Sequence, residues 1–432
     1  MAEAARARRR LRACHDCDLV VTLPNLRPGE QAQCPRCDCT LARRFRRPAQ
    51  RSFALALAAL VALALALNFT FVSFNYGGIG NRIDLPQTAT TLLSFQQPLV
   101  ALAVALTIFV LPGCYLLAQL WLQFGLLRQA PGTRARPQVA RMLSYLTPWL
   151  MADVFIIGAL VSLIKISGTA EINLGYGFWA FCMFALLLLF TLQSIDADWL
   201  WYSLAGEPRA PVGTETGRGA AEQGLTGCST CGLVNVLEIG GACCRRCGSL
   251  LHARRPYSLQ QTWALLCTAA VLYIPANVYP IMQTVSLGRG TQSTIIGGVA
   301  ELWQIGSWPI AMVIFVASVV VPLSKLLVLG GLCVAVRYSA GFDAALRVRL
   351  YRITEFIGRW SMVDVFVVAL LVALIRADAL MSVNPGPAAL AFCAVVILTM
   401  LAALTFDPRL LWDAPAGVRA AEPKRRSGEL MT

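Results

Sequence analysis

The sequence contains an internal repeat, and equivalent residues of the two copies are about 211 positions apart. A stretch that begins at Trp149 recurs from Trp360, with an aspartate, a phenylalanine and a terminal cation in the same places. Further along, Phe181 recurs as Phe392. A repeat of this length predicts two fused copies of one module, which share an architecture.

Each copy contains four long apolar stretches. The chain is 57% hydrophobic and only 14% charged, which is more apolar than a soluble protein of this length. A membrane-spanning helix takes about 20 apolar residues. The stretches that approach this length are 53–72, 98–122, 147–166, 175–195, 262–285, 307–336, 360–375 and 385–406. The sequence predicts an all-α integral membrane protein with eight transmembrane helices, four in each tandem repeat.

Arginines mark alternate loops. They precede helix 1, separate helices 2 and 3, precede helix 5, and separate helices 6 and 7. Short basic loops stay in the cytoplasm, so both termini are expected there. The net charge of +14 then reflects membrane topology, and no nucleic-acid partner is expected because the basic residues flank spans.

Two pairs of Cys-x2-Cys open each copy. A two-residue gap lets both thiolates of a pair face one ion, and two pairs supply the four sulfurs that zinc prefers. An iron centre of the rubredoxin type uses the same ligands, so the metal stays open between zinc and iron. Disulfides are not expected in the cytoplasm. The sequence predicts one metal ion in each zinc-ribbon-like (rubredoxin-like) domain, held by Cys14, Cys17, Cys34 and Cys37 and by Cys228, Cys231, Cys244 and Cys247.

Four further residues near these clusters are interpreted as bystanders, because the cysteines do not keep the two-residue spacing and each copy already has four cysteine ligands: Cys39, Cys243, His15 and His252. The domain order predicted from these features is an N-terminal ribbon (1–50), a four-helix module (51–204), a flexible linker (205–226), a second ribbon (227–256), a second module (257–412) and a disordered tail (413–432).

The charged residues inside the predicted transmembrane helices are the candidate functional residues. Asp153 and Asp364 lie at the start of helices 3 and 7, and Lys325 lies in helix 6 at a depth comparable to Asp364. Unpaired charges in a membrane are costly, so we expect an ion pair between Lys325 and Asp364. Aligning the helix prolines of the two copies puts Tyr115 in place of Lys325, which makes the second copy the better candidate. Alternatively, both aspartates start helices at the positive end of the helix dipole.

Lys165 and Arg376 lie at the opposite ends of helices 3 and 7. Long cationic side chains there can extend to the membrane surface without any further role. A role in binding lipid phosphates is the alternative, because both cations meet the headgroup layer.

Catalytic equipment is scarce. No phosphate-binding Gly-x4-Gly-Lys-Ser/Thr loop is present, and two histidines in the whole chain provide little general acid–base chemistry. We expect a protein that is not an enzyme.

The string Trp360-Ser361-Met362-x-Asp364-Val365-Phe366, together with the duplicated cysteine pairs, closely resembles the paraquat-inducible protein A family. The first copy departs at Leu150 and Ala152. The resemblance marks Trp360 and Ser361 as candidates beside the charged residues. It implies an inner-membrane protein of a Gram-negative bacterium that works with a periplasmic MCE-domain partner, a tunnel protein. The implied role is the movement of lipids between the inner and outer membranes and the maintenance of envelope integrity.

Two other functions stay open. A membrane anchor or regulator of the partner would need no intramembrane charges. A membrane redox protein would use the thiolate centres as electron carriers.

Overall fold

The computed structural model describes residues 10–76, 79–94, 98–128, 135–167, 171–237, 242–286, 289–304, 306, 308–338, 343–374, 376–377 and 381–413. Four short strands form the first ribbon (10–44) as two hairpins. They are β1 (Arg10–Ala13), β2 (Val20–Leu23), β3 (Gln31–Gln33) and β4 (Thr40–Arg43).

The first module follows the ribbon directly. Pro48 occupies the first turn of its first helix, where the missing N–H of proline costs nothing. The elements are α1 (Pro48–Asn68), β5 (Val72–Tyr76), β6 (Ile79–Ile83), α2 (Leu85–Ser94), α3 (Pro98–Leu127), α4 (Ala135–Leu146), α5 (Ala152–Ser167), β7 (Glu171–Leu174), α6 (Tyr176–Gln193) and α7 (Ala197–Ala205).

The second copy repeats this order. Its ribbon (225–252) contains β8 (Leu225–Gly227) and β9 (Val234–Val236). Its module contains α8 (Ser258–Val278), β10 (Met282–Ser286), β11 (Arg289–Ser293), α9 (Ile295–Gln304), α10 (Trp308–Phe315 continued by Val316–Val320 and Val321–Tyr338), α11 (Ala344–Gly358), α12 (Val363–Leu374), β12 (Arg376–Ala377), β13 (Met381–Pro385) and α13 (Pro387–Thr405). Both α3 and α10 contain a π-helical turn, at Leu106–Val110 and Val316–Val320, which ends two residues before Pro112 and Pro322 respectively.

Seven described helices are long and apolar enough to cross a membrane. They are Pro48–Asn68, Pro98–Leu127, Ala135–Ile164 (α4 joined to most of α5), Tyr176–Gln193, Ser258–Val278, Ala311–Tyr338 and Pro387–Thr405. The chain is therefore a multi-pass membrane protein built of two repeats, as the sequence predicts. The eighth predicted span contains α12, whose 12 residues follow a 3-10 turn and cover about 18 Å; residue 375 lies outside the described residues.

Two small sheets, which the sequence analysis did not predict, join the ends of the spans. One has the order β6–β5–β7 and the other β11–β10–β13–β12. The first and fifth predicted spans are accordingly displaced, because α1 covers Pro48–Asn68 and α8 covers Ser258–Val278, and each helix ends before its strand begins. Gly386 starts α13 so close to the carbonyl of Pro280 that a side-chain Cβ would collide with it, which explains the glycine there.

The copies meet through the repeated motif. Helices α5 and α12 pack against each other, and the rings of Phe155 and Phe366 contact edge to face at a centroid distance of 5.6 Å. Ser162 Oγ also lies 3.3 Å from the carbonyl of Val367. The two halves thus share one core.

Within each module, the first and last spanning helices form the closest pair, α1 with α6 and α8 with α13. The buried face of α1 carries alanines at Ala56, Ala59, Ala62 and Ala66. Small residues let two helix backbones approach inside a membrane. The alanine face of α1 therefore allows α1 to pack closely against α6.

The segment 205–226 is folded, which contradicts the expectation of a flexible linker. Glu207 forms an ion pair with Arg12 of the first ribbon at 2.6 Å, and Val20 N donates to the carbonyl of Arg218 at 2.9 Å. Its glycines take left-handed backbone angles at Gly206, Gly213, Gly217 and Gly224. Glycine adopts such turns without steric cost, so these residues fold the segment.

Candidate functional site

Each ribbon gathers its four predicted cysteines. The Sγ atoms of Cys14 and Cys37 are 3.5 Å apart, as are those of Cys17 and Cys34. In the second ribbon, the pairs Cys228–Cys247 and Cys231–Cys244 are separated by 3.4 and 3.5 Å. Four thiolates at about 2.3 Å from one zinc ion lie about 3.8 Å apart. All eight cysteines are buried and free of disulfides, so both sets fit a four-coordinate metal ion.

The backbone turn behind each Cys-x2-Cys pair explains this geometry. The residue after the second cysteine has a positive φ in every pair: Asp18, Asp38, Gly232 and Gly248. The N–H of that residue donates to the carbonyl of the first cysteine, as Gly232 does to Cys228 at 2.9 Å. Aspartate tolerates the left-handed region better than most residues. The first ribbon therefore makes with aspartate the turn that the second makes with glycine.

The hydrogen bonds between these closely spaced thiols shift their pKa values. Hydrogen bonds with Cys14 and Cys17 hold the pKa of Cys34 far below its usual value, and hydrogen bonds with Cys14 and Cys34 raise the pKa of Cys17. Cys244 and Cys231 repeat this pattern. In each cluster the hydrogen bonds between thiols thus lower the pKa of some cysteines and raise that of others, and a metal ion would displace the remaining protons.

Each ribbon lies against the module of the other copy. Arg352 of α11 donates to the carbonyl of Cys37 at 2.9 Å and pairs with Asp16. Its counterpart Arg141 of α4 donates to the carbonyl of Gly248 in the second ribbon at 3.1 Å.

A tryptophan at the end of the second module adds to this crossed arrangement. Trp412 packs against the cysteines of the first ribbon, with the guanidinium of Arg36 4.2 Å from its ring centroid. The first ribbon is therefore held by both Arg352 and Trp412 of the other copy.

The ribbons also contact each other. Arg12 in β1 forms an isolated β-bridge with Leu233. Its guanidinium binds Asp198 of α7, at 3.0 Å from Nε, as well as Glu207. Burial would lower the pKa of Arg12, but the hydrogen bonds and charges of these two carboxylates raise it above its ordinary value. The two ribbons and α7 thus form one continuous layer.

The predicted lysine is buried among hydroxyl groups. Lys325 is 2% exposed, and its Nζ donates to Ser361 Oγ at 2.8 Å and to Thr399 Oγ1 at 3.4 Å. The hydroxyls of Ser361 and Thr399 donate in turn to the carbonyls of Gly358 and Val396, each at 3.0 Å. Both oxygens are therefore oriented to accept from the amine. Helices α10 and α13 and the turn before α12 provide this site.

The first copy replaces all three groups. Tyr115 is buried near Thr147, and the positions of Ser361 and Thr399 hold Leu150 and Leu188, both 2% exposed. The polar cluster is thus a property of the second module.

The remaining predicted residues fall in separate places. Asp153 lies in the first turn of α5 and is partly buried, and Trp360 lies in a 3-10 turn at 38% exposure. The side chains of Asp364, Lys165 and Arg376 lie outside the described residues. On the backbone, Asp364 follows Ser361 by one helical turn, and Arg376 starts β12. The ion pair of Lys325 with Asp364 remains a prediction.

Sequence reasoning missed Thr399. Its signal was available, since a threonine stands in an apolar helix where the first copy has a leucine. It also missed Arg352 and Asp16, because contacts between distant copies leave no mark in one sequence.

Comparison with known proteins fits this architecture. The family model described as Paraquat-inducible protein A matches residues 49–205 and again 259–415. The chain belongs to the paraquat-inducible protein A family. The two family matches cover both modules and omit both ribbons.

Several curated proteins are similar over nearly the whole chain. Intermembrane transport protein PqiA of Escherichia coli (strain K12) is 40% identical over 400 residues, which are 93% of this chain and 95% of that protein. Lipophilic envelope-spanning tunnel protein A of the same strain is 31% identical, over 93% and 91% of the two chains. Probable intermembrane transport protein of Haemophilus influenzae is 28% identical, over 92% and 95%. No solved structure matches the chain.

Proposed function

We propose that the protein is the inner-membrane component of a lipid transport system, with both termini in the cytoplasm. In this proposal it works with a periplasmic MCE-domain tunnel protein to move lipids between the two membranes and to maintain envelope integrity. The names of its relatives, intermembrane transport protein and envelope-spanning tunnel protein, support transport across the envelope. The seven apolar helices support a membrane component.

The observation that carries the proposal is the buried amine of Lys325. A primary amine is enclosed here by α10, α13 and the Ser361 turn. Because an ionisable group inside a membrane is energetically costly, its presence favours a functional role. The partner we propose for it is Asp364, which stands one turn beyond Ser361 on the same helix face. An ion pair placed here could change partners as a lipid or an ion passes.

Each ribbon is proposed to hold one zinc ion. The ion would offset half of the negative charge of the four thiolates, and the metal would supply the cross-link that so short a segment needs to fold. Lys165 and Arg376 are proposed to meet lipid phosphates at the outer surface. Neither role requires catalysis, and we propose a non-enzymatic protein.

Lipid exchange in a reconstituted system tests the transport proposal. Vesicles holding the full-length protein, its MCE partner and fluorescent phospholipid are mixed with acceptor vesicles. We expect transfer that requires both proteins and is lost with Lys325→Met. Normal recruitment of the partner with unchanged transfer in Lys325→Met would instead identify an anchor. Bound iron with a reversible visible spectrum would identify a redox protein.

Reporter fusions test the orientation. Fusions at Gly80 and Gly290 should be periplasmic, and a fusion at Gly213 cytoplasmic, because basic loops stay inside. A fusion at Gly132, outside the described residues, should also be cytoplasmic. The reverse result at any two sites would contradict the proposed topology.

A further inference from the structure

A second group of metal-binding side chains lies on the first ribbon, beside its four-cysteine set. One ligand atom from each of His15, Asp16 and Cys39 lies within 4.8 Å of the others. His15 Nε2 is 3.2 Å from Cys39 Sγ and 3.5 Å from Asp16 Oδ1. In a tetrahedral zinc site, bonds of about 2.3 Å to sulfur and about 2.0 Å to nitrogen or oxygen place such ligands about 3.3 to 3.5 Å apart. Both distances are close to the edges of one coordination sphere.

The environment of the three side chains fits an open metal site. Asp16 and Cys39 are 5% and 8% exposed, whereas His15 is exposed. Three protein ligands with solvent on the fourth side are typical of zinc sites that keep one position open. The other carboxylate oxygen, Asp16 Oδ2, accepts from Arg352 Nε at 2.7 Å. This contact orients the carboxylate and leaves Oδ1 on the side of His15.

The junction with α11 brings one more carboxylate near. Glu355 of α11 is exposed and interacts electrostatically with Asp16 and His15. The cluster sits where the first ribbon meets the second module.

The second ribbon provides an internal control. The positions of His15, Asp16 and Cys39 are occupied there by Ser229, Thr230 and Ser249. Ser249 Oγ donates to Thr230 Oγ1 at 3.1 Å, so the same corner is closed by a hydroxyl contact. Neutral hydroxyls are not zinc ligands of the usual set. The two ribbons thus share a fold, and the first alone carries this ligand set.

We propose that His15, Asp16 and Cys39 bind one divalent ion of the zinc class, separate from the ion of the four-cysteine set. The full-length protein then holds three ions, two in the first ribbon and one in the second.

Metal content of the purified full-length protein tests this proposal. The protein in detergent is loaded with zinc chloride, freed of excess metal by gel filtration and assayed by elemental analysis. We expect three ions per chain in the wild type and two in Cys39→Ser or His15→Ser. These variants carry the residues of the second ribbon, which folds with them. The control His252→Ser should keep three.

Cobalt provides a second readout. Cobalt(II) bound to one thiolate absorbs more weakly in the thiolate charge-transfer region than cobalt bound to four. The spectrum of the wild type minus that of Cys39→Ser should show one such weak centre. Two zinc ions in the wild type, or three retained in both variants, would overturn the proposal and leave the Cys39–His15 contact as a simple hydrogen bond.

Discussion

The two modules share a backbone but differ where polar groups lie inside the membrane. In the second module, Lys325 donates to the hydroxyls of Ser361 and Thr399. The equivalent positions of the first module hold Tyr115, Leu150 and Leu188. The residues that build the fold are repeated, whereas the polar site is not. This difference separates what the fold requires from what one copy does with it.

The first module has buried polar groups of its own. On α3, Gln119 and Gln123 follow Tyr115 at intervals of four residues, so the three side chains lie on one face of the helix. The two glutamines are 0% and 2% exposed. Neither amide atom of Gln119 has a hydrogen-bond partner among the described residues. The second module has Leu329 and Cys333 on the same stripe. The copies therefore place their polar groups at different depths of the same helix.

The largest difference between the two modules is expected for the variant Lys325→Met. We expect lipid transfer to fall by about tenfold or more, because the second module loses its buried amine and leaves Asp364 without the partner proposed for it. The matched change Tyr115→Phe should have a small effect. Transfer assays on protein that still inserts measure this.

The aspartates extend the same test. Asp364→Asn should match Lys325→Met, while Asp153→Asn should do less because Tyr115 offers no cation. Equal damage from both would show that the aspartates share a structural role, such as starting α5 and α12.

Cysteine replacements test the symmetric part of the molecule. Cys17→Ser and Cys231→Ser should each unfold their own ribbon, because structural zinc contributes about 10–16 kcal/mol of apparent binding free energy in small domains. Limited proteolysis should reveal new cleavage within the altered ribbon in both variants. Sensitivity in only one variant would mean that the two metal centres are not equivalent.

Hydroxyl removal should produce a graded loss. Ser361→Ala removes the acceptor at 2.8 Å from Lys325 Nζ, and Thr399→Val removes the one at 3.4 Å. A buried donor left unsatisfied costs about 1–3 kcal/mol. We therefore expect a moderate loss of transfer for Ser361→Ala and a smaller one for Thr399→Val. The reverse order would mean that the hydrogen bond of Lys325 to Thr399 on α13 matters more for transfer than its hydrogen bond to Ser361.

The smallest effect is expected from the crossed arginines. Arg352→Ala loses bonds to Asp16 and Cys37, while Arg141→Ala loses one exposed bond to Gly248. Partly exposed ion pairs contribute about 1 kcal/mol or less. Hydrogen exchange should therefore rise modestly in the first ribbon of Arg352→Ala, and less in the second ribbon of Arg141→Ala. Equal rises would remove this difference between the copies.

The sequence was sufficient for the repeats, for seven of the eight predicted spans among the described residues and for both cysteine sets, because each depends on local spacing or hydrophobicity. It was not sufficient for the segment 205–226, where composition suggested flexibility and left-handed glycines produce a fold. The sheets β6–β5–β7 and β11–β10–β13–β12 were also missed, since their strands lie next to spanning stretches and were counted as the ends of those stretches.

The lysine site was predicted in part. Lys325 and Ser361 were recognisable because a charge and a specific motif stand out in apolar helices. Thr399 was not, since helical threonine usually donates to its own backbone, as this one also does. The crossed ribbon contacts depend on tertiary packing alone.

Those crossed contacts bear on how such a chain could arise. Arg141 and Arg352 each hold the ribbon that belongs to the other copy. A single-copy ancestor could satisfy the same contacts only from a second molecule, as a two-fold dimer that exchanges its ribbons. Gene duplication and fusion would then have turned an exchange between subunits into a contact within one chain, and allowed the two halves to differ, as they do at Lys325 and Tyr115.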